Sequence, residues 1–283
     1  MQTKPHQGAG VEVWGVDLRT MDDDVFQRVN ALFRRHGLVF FRDQQLGEHD
    51  HISLARRFGT INVNRFFVPN PRYPEIAMVV KEPDQRANIG GGWHTDHSYD
   101  EEPALGSILV ARELPESGGD TWFVNMADAF DRLPDALKRK LRTMNAVHSS
   151  KHIFGTRGAW LRRLVGSQDQ VKNPELADAM DDVVHPVVVR HPLSGREVLY
   201  VNPGFTIRFE HHTVLGSMPL LGYLYAEATR SRHVAKFAWE PGSVALWDNR
   251  ATWHYAKNDY AGQRRVMHRI TIDGCALEPA LAS

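Results

Sequence analysis

At 283 residues the chain is long enough to bury a sizeable core as one domain. Lys plus Arg and Asp plus Glu each number 34, so the broad basic footprint of a nucleic-acid or acidic-membrane binder is missing. Apolar residues at 42% and charged residues at 24% fit an ordinary globular protein, and no run of about 18 apolar residues marks a membrane span. The opening MQTKPHQGAG has no apolar signal-peptide core, which gives the expectation of a cytoplasmic chain. Cys275 is the only cysteine, so no intrachain disulfide forms and thiol catalysis is a poor expectation.

In chain order, Val25, Val29 and Leu32 recur at helical spacing in residues 24–36, and Gly37 follows as a stop. LVFFR then reads as a short buried strand. Ile52, Ala55 and Phe58 align on a second helix in GEHDHISLARRFG, ended by Gly59. From residue 75 the pattern changes to short extended runs between turn residues: EIAMVVKE, GSILVARE, DTWFVNM, MNAVHSS, VVHPVVV, EVLYVN, GSVALWDN and RRVMHRITI. Runs of this kind favour a sandwich or jelly roll over an open parallel sheet. Helices are expected at 126–142 and 217–230, the second with Leu221, Leu224, Tyr225 and Ala228 as a core-facing stripe. The stretch 155–182 is charged and lacks sustained periodicity; it reads either as a surface excursion with a short helix or as a lid over a substrate. No repeat or composition shift divides the chain. The expected fold is therefore mainly β with bracing helices, in a single domain over 1–283.

The chemistry concentrates in GGGWHTDHSYD, residues 90–100. Residues two apart on an extended chain share a side, so His94 and Asp96 can face one metal while Thr95 and His97 face away. A surface strand displays the same alternation, and the pair alone is weak. His254, in ALWDNRATWHY just after an expected strand, supplies a distant third donor. Two imidazoles and a carboxylate form the facial set suited to octahedral non-haem Fe(II), with three positions left for small molecules. Catalytic zinc uses the same donors, but no acid/base partner for a zinc-bound water stands out. From these residues a zinc hydrolase or metal-dependent isomerase, and a non-enzymatic metal- or ligand-binding module, stay open as alternatives. Asp248 in the DNR segment is a weaker ligand candidate, and that segment is expected to support the turn toward His254. His97, His148, His152, His185, His211 and His212 are expected at the surface or behind the ligands.

Taken together, WHTD, GGDTWFVNM, WDNRATWHY and RRVMHRITIDG resemble the Fe(II)/2-oxoglutarate dioxygenases of the taurine dioxygenase and 2,4-dichlorophenoxyacetate dioxygenase (TauD/TfdA) type. The likeness runs from GVDLR and GLVFFR through LARRFG to the last strand. It implies a double-stranded β-helix, or jelly roll, with His94, Asp96 and His254 as iron ligands and with 2-oxoglutarate and molecular oxygen as cosubstrates. It also implies that Arg265, 11 positions after His254, pairs with the distal carboxylate of 2-oxoglutarate, with Thr121 adding a hydroxyl hydrogen bond. Read alone, Arg265 would be a surface ion-pair residue. Arg269 shares its strand face, and the resemblance places it by the organic substrate's acid group or near the iron-bound end of the cosubstrate. His268 points the other way. The reaction implied is hydroxylation of an organic substrate coupled to release of succinate and carbon dioxide.

The taurine pattern has a histidine where this chain has Asn64 and an asparagine where it has Gly90. The expected substrate is therefore a small organic acid with an apolar or aromatic body, such as an aryloxyalkanoate cleaved at its ether after hydroxylation. Taurine or an alkylsulfonate is the alternative. Phe66 and Phe67 offer apolar contact to such a body, or else belong to a local core. Neither nucleic acid nor membrane is an expected partner; the resemblance adds a homo-oligomer.

Overall fold

The structure is a computed structural model, and it describes residues 1–164 and 171–280. Asp22 starts the helix Asp23–His36 by accepting a hydrogen bond from the Val25 amide, and Gly37 ends it in the left-handed region at φ +66°. The strand Leu38–Phe41 follows at once and is buried on both faces. Leu38 and Phe40 enter one core while Val39 and Phe41 enter another, as the two-residue period of a strand requires. Val244–Asp248 repeats this parity, with Ala245 and Trp247 on one side and Val244 and Leu246 on the other.

Both strands belong to an eight-stranded sheet in the order Gln2–Pro5, Val11–Trp14, Leu38–Phe41, Val244–Asp248, Gly106–Glu113, Arg265–Ile272, Ile61–Asn62, with Ala77–Lys81 also paired to Arg265–Ile272. Val11–Trp14 runs parallel to Leu38–Phe41; its other contact, with Gln2–Pro5, is antiparallel. One face of the sheet is covered by Asp23–His36 and the helix Glu48–Phe58, through Phe33, Ile52 and Ala55. The other face meets a three-stranded sheet of Ala235–Phe237, Thr121–Asn125 and Thr252–Ala256. Phe123 and Phe237 pack between the sheets against Phe40, Leu109, Trp247 and Met267. Two further three-stranded sheets share a third core with the helix Val214–Ala228. The result is the expected jelly roll braced by helices, with sheets that do not close into a barrel. Parity on Arg265–Ile272 sends Met267 into the space between the sheets and Ile270 and Ile272 toward the helices. Arg265 and Arg269 share the inward side with Met267.

Some expectations shift. The helix expected at 126–142 is two, Met126–Asp131 and Asp135–Leu141, because Pro134 has no amide hydrogen to continue the first. The helix expected at 217–230 begins earlier, at Val214, where the Thr213 hydroxyl accepts from the Gly216 amide. His254 follows the strand Val244–Asp248 as expected, and it also lies within a further strand, Thr252–Ala256, since the chain turns at Asp248–Ala251 and pairs again at once with Thr121–Asn125. Within 155–182 the chain forms the helices Thr156–Leu164 and Pro174–Ala179, and residues 165–170 of that stretch lie outside the described residues. Among the described residues no helix is long and apolar enough to cross a membrane.

Candidate metal centre and its cavity

His94 and His254 are brought together by an isolated antiparallel bridge. The His94 amide donates to the His254 carbonyl at 3.1 Å and the His254 amide to the His94 carbonyl at 2.8 Å. The two imidazole centroids stand 4.1 Å apart. Asp96 completes the group, its Oδ1 3.8 Å from His94 Nε2 and its Oδ2 3.8 Å from His254 Nε2. Asp96 gets there from a turn rather than a continued strand, and His97 beside it sits at φ +62°. The donor atoms of the three residues all lie within 4.8 Å of one another. Gly204 permits this packing, because a Cβ there would come within 2.6 Å of the His94 Cβ.

The protonation states suit a divalent cation. Burial would raise the Asp96 carboxyl, but the Arg269 guanidinium, aided by His254 and His94, holds it well below the usual carboxylate range. Burial, with His94 nearby, pushes His254 well below the usual imidazole value and keeps it neutral. His94 Nδ1 donates to the Gly92 carbonyl at 2.8 Å, which fixes the ring with its Nε2 turned toward Asp96. A carboxylate and two neutral imidazoles are the donors that Fe(II) takes, and the residues fit that metal.

Two arginines flank the cluster. Arg269 donates from Nη1 to Asp96 Oδ2 at 2.9 Å and lies under the Phe67 ring, 4.9 Å from Cζ to centroid. Its Nε and Nη2 are buried without a hydrogen-bond partner. Arg265 is 4% exposed, its Nε has no partner, and its Nη2 makes a long contact of 3.5 Å with Thr121 Oγ1. Burial pulls its pKa down, opposed by Tyr260 and Asp120. Thr121 Oγ1 also accepts from Trp239 Nε1 at 2.9 Å. With two N–H groups on its lone pairs, the hydroxyl proton is left to donate into the cavity.

That cavity, about 410 Å³, is lined by His94, Asp96, His254, Arg265, Arg269 and Thr121, and by an apolar wall that includes Phe67, Ile89, Phe154 and Phe205. Of the residues singled out for the organic substrate, Phe67, Gly90 and Arg269 line it. Asn64 and Phe66 do not. Phe66 is fully buried and stacks on Phe154 at 4.7 Å, and Asn64 is spent on backbone amides and on His97, so strand-like exposure does not hold for the early block. Phe154, Phe205, Arg162 and Val171 reach the cavity from stretches in which no motif marked them, although the glycine before Phe205 marks a close approach. Asp248 is no ligand candidate in the fold. It is held by Arg250 through contacts of 3.0 and 2.7 Å and lies 3.0 Å from His191, beneath the turn that Thr95 meets at the Asn249 carbonyl.

Residues 2–271 match the taurine catabolism dioxygenase TauD, TfdA family. The alpha-ketoglutarate-dependent sulfate ester dioxygenase of Pseudomonas putida is 32% identical over 274 residues, which cover 94% of this chain and 86% of that protein. The alpha-ketoglutarate-dependent 2,4-dichlorophenoxyacetate dioxygenase of a Burkholderia species is 31% identical over 261 residues, covering 86% of this chain and 84% of its own. Among solved structures, a taurine dioxygenase from Burkholderia xenovorans superposes with a TM-score of 0.79 at 31% identity, covering 98% of this chain and 92% of that one.

Proposed function

The chain belongs to the TauD/TfdA family and is an Fe(II)- and 2-oxoglutarate-dependent dioxygenase, and from that premise we propose which of its side chains serve the reaction and what they accept. His94, Asp96 and His254 hold the iron. Bound there, it supplies the redox chemistry by which oxygen and 2-oxoglutarate yield succinate, carbon dioxide and a hydroxylated substrate. Arg265 receives the distal carboxylate of 2-oxoglutarate through two N–H groups, and the Thr121 hydroxyl donates to the same group. The observation that carries this reading is a buried guanidinium without a carboxylate partner, in the same cavity as the three-donor cluster. A buried cation costs stability unless an anion arrives to pair with it.

The organic substrate is a small anion with an apolar or aromatic body. Nε and Nη2 of Arg269 are the donors left for its acid group, while Phe67, Ile89, Phe154 and Phe205 take the body. Hydroxylation of a carbon bound to an ether or ester oxygen gives a product that collapses to a carbonyl and frees the phenol or the sulfate. An aryloxyalkanoate fits this description, and an alkyl sulfate ester fits it as a second reading, favoured by the likeness to the Pseudomonas putida enzyme. Taurine fits poorly: its ammonium needs an acidic partner, and Asp96 is the one acidic side chain among the described lining residues. The chain works as one domain, and the described parts of 155–182, residues 155–164 and 171–182, cover the cavity, which Arg162 and Val171 line.

Phenoxyacetate, hexyl sulfate, hexanesulfonate and taurine, offered in parallel with Fe(II) and 2-oxoglutarate, test the substrate reading. Succinate matched by phenol from the first or by sulfate from the second is the expected result. Efficient coupled turnover of taurine with none of the apolar anions would overturn it.

A further inference from the structure

We propose that Asn64 is a positioning residue of the metal centre, acting through the ring of Phe67 on Arg269 and through Arg269 on Asp96. Asn64 is 7% exposed and uses both ends of its amide. Oδ1 accepts from the Phe66 amide at 2.8 Å and the Phe67 amide at 3.2 Å, a side-chain turn that fixes the path of the next residues. Nδ2 lies 3.2 Å from Nε2 of His97, the residue that follows Asp96, and His97 Nδ1 is held in turn at 2.8 Å by Asp100. The turn that carries Asp96 has anchors of its own, His97 on Asp100 and Thr95 on the Asn249 carbonyl, so it stays in place without the Asn64 amide, and the route from Asn64 to Asp96 runs through Phe67.

The Asn64 turn decides which phenylalanine faces where. Phe66 is sent into the local core against Phe154, and Phe67 is sent to the cavity wall over the Arg269 guanidinium. Phe67 matters there because Arg269 has little else to orient it. One of its N–H groups meets Asp96 at 2.9 Å, and Nε and Nη2 have no protein partner. A guanidinium fixed by a single hydrogen bond and one ring face swings when the ring is lost, and Asp96 loses the donor that orients its carboxylate. Asn64 reaches no substrate in this arrangement; it sets the geometry of a metal ligand from two side chains away.

This inference rests on Asp96 being a metal ligand, so the test uses Mn(II) alone, with no cosubstrate or organic acid. Mn(II) dissociation constants are measured by electron paramagnetic resonance of the free ion for the wild type, Asn64→Ala, Asn64→Asp, Phe67→Leu and the Asn64→Ala/Phe67→Leu double variant, each with a thermal melt. Asn64→Ala and Phe67→Leu should each weaken binding by about five- to tenfold, the scale of a desolvated cation–π contact. The double variant should be no weaker than Phe67→Leu, because both changes cut one line of contacts. Asn64→Asp keeps the acceptor for the two amides and should restore affinity. Wild-type affinity in Phe67→Leu, additive losses in the double variant, or an Asn64→Asp variant as weak as alanine would each overturn the proposal. Should Asn64→Ala not fold, Phe67→Leu and Asn64→Asp decide it by the same criteria. Failure of the wild type itself to bind one Mn(II) would instead overturn the ligand assignment, and this proposal with it.

Discussion

Arg265→Met separates what a buried cation does in the empty protein from what it does in the loaded one. The side chain is 4% exposed, its Nε has no partner, and its contact with Thr121 is stretched to 3.5 Å. Burying a charge costs several kcal/mol, and the Coulombic help of Tyr260 and Asp120 offsets only part of it. Methionine has similar reach and no charge, so the cosubstrate-free variant should be more stable by about 1 kcal/mol or more. Its melting temperature should then rise by roughly 2–4 °C for each kcal/mol. In the loaded protein the same change removes two charge-assisted hydrogen bonds, together about 3 kcal/mol. The KM for 2-oxoglutarate should rise on the order of 100-fold, while Mn(II) affinity stays within about twofold of the wild type, a change under about 0.5 kcal/mol. Differential scanning fluorimetry of the metal-free protein and succinate formation across a cosubstrate titration read the two effects. A lower melting temperature together with an unchanged KM would mean that Arg265 is an ordinary stabilising residue with no part in holding 2-oxoglutarate.

Thr121→Ala should raise the same KM by about five- to tenfold, the worth of one neutral donor, and Thr121→Ser should restore it. Gly204→Ala puts a Cβ within 2.6 Å of the His94 Cβ, so metal affinity measured by titration should fall by more than about tenfold as His94 is displaced. Asp248→Asn should destabilise the fold by about 3 kcal/mol at neutral pH, since it leaves Arg250 buried without its carboxylate. Burial raises the Asp248 carboxyl, but Arg250 and His191 overcome this and hold it well below the usual range. Its stabilising contribution is thus fully present above the unfolded value near about 3.9 and lost as the pH falls through the folded one. Urea unfolding between neutral and acidic pH should show a shallower acid limb in Asp248→Asn, and an unchanged limb would count against the buried pair.

Strands that are long or continuously apolar were legible from sequence, and short ones interrupted by polar residues were not. LVFF and RVMHRITI carry enough apolar residues to be read as strands, and the parity of the second correctly sends Arg265 and Arg269 to one side. Gln2–Pro5, Thr206–Phe209 and Ala235–Phe237 span four, four and three residues, too few to show alternation. The same limit hid the strand of His254, which restarts after a turn fixed by Asp248 and Arg250. His94, Asp96 and His254 converge as the pattern suggested, although Asp96 arrives from a turn. Asn64, where the taurine pattern has a histidine, does not reach the cavity wall, and Phe66 takes the local-core place that was its alternative. Here the asparagine amide is consumed by backbone, and the next residues exchange roles. Phe154 and Phe205 were invisible because their place depends on how separate segments fold over the mouth, which local spacing does not encode.

His94, Asp96 and His254 are proposed to form one Fe(II) site that serves 2-oxoglutarate chemistry. Anaerobic equilibrium dialysis of Fe(II) in the presence of 2-oxoglutarate, on the wild type and on His94→Ala, Asp96→Ala and His254→Ala, tests it most directly when followed by admission of oxygen and measurement of succinate. The wild type should take up one Fe(II) per chain and form succinate in step with oxygen uptake, with both lost in each variant while the circular dichroism spectrum is unchanged. Wild-type stoichiometry and succinate yield in any folded variant would contradict that assignment.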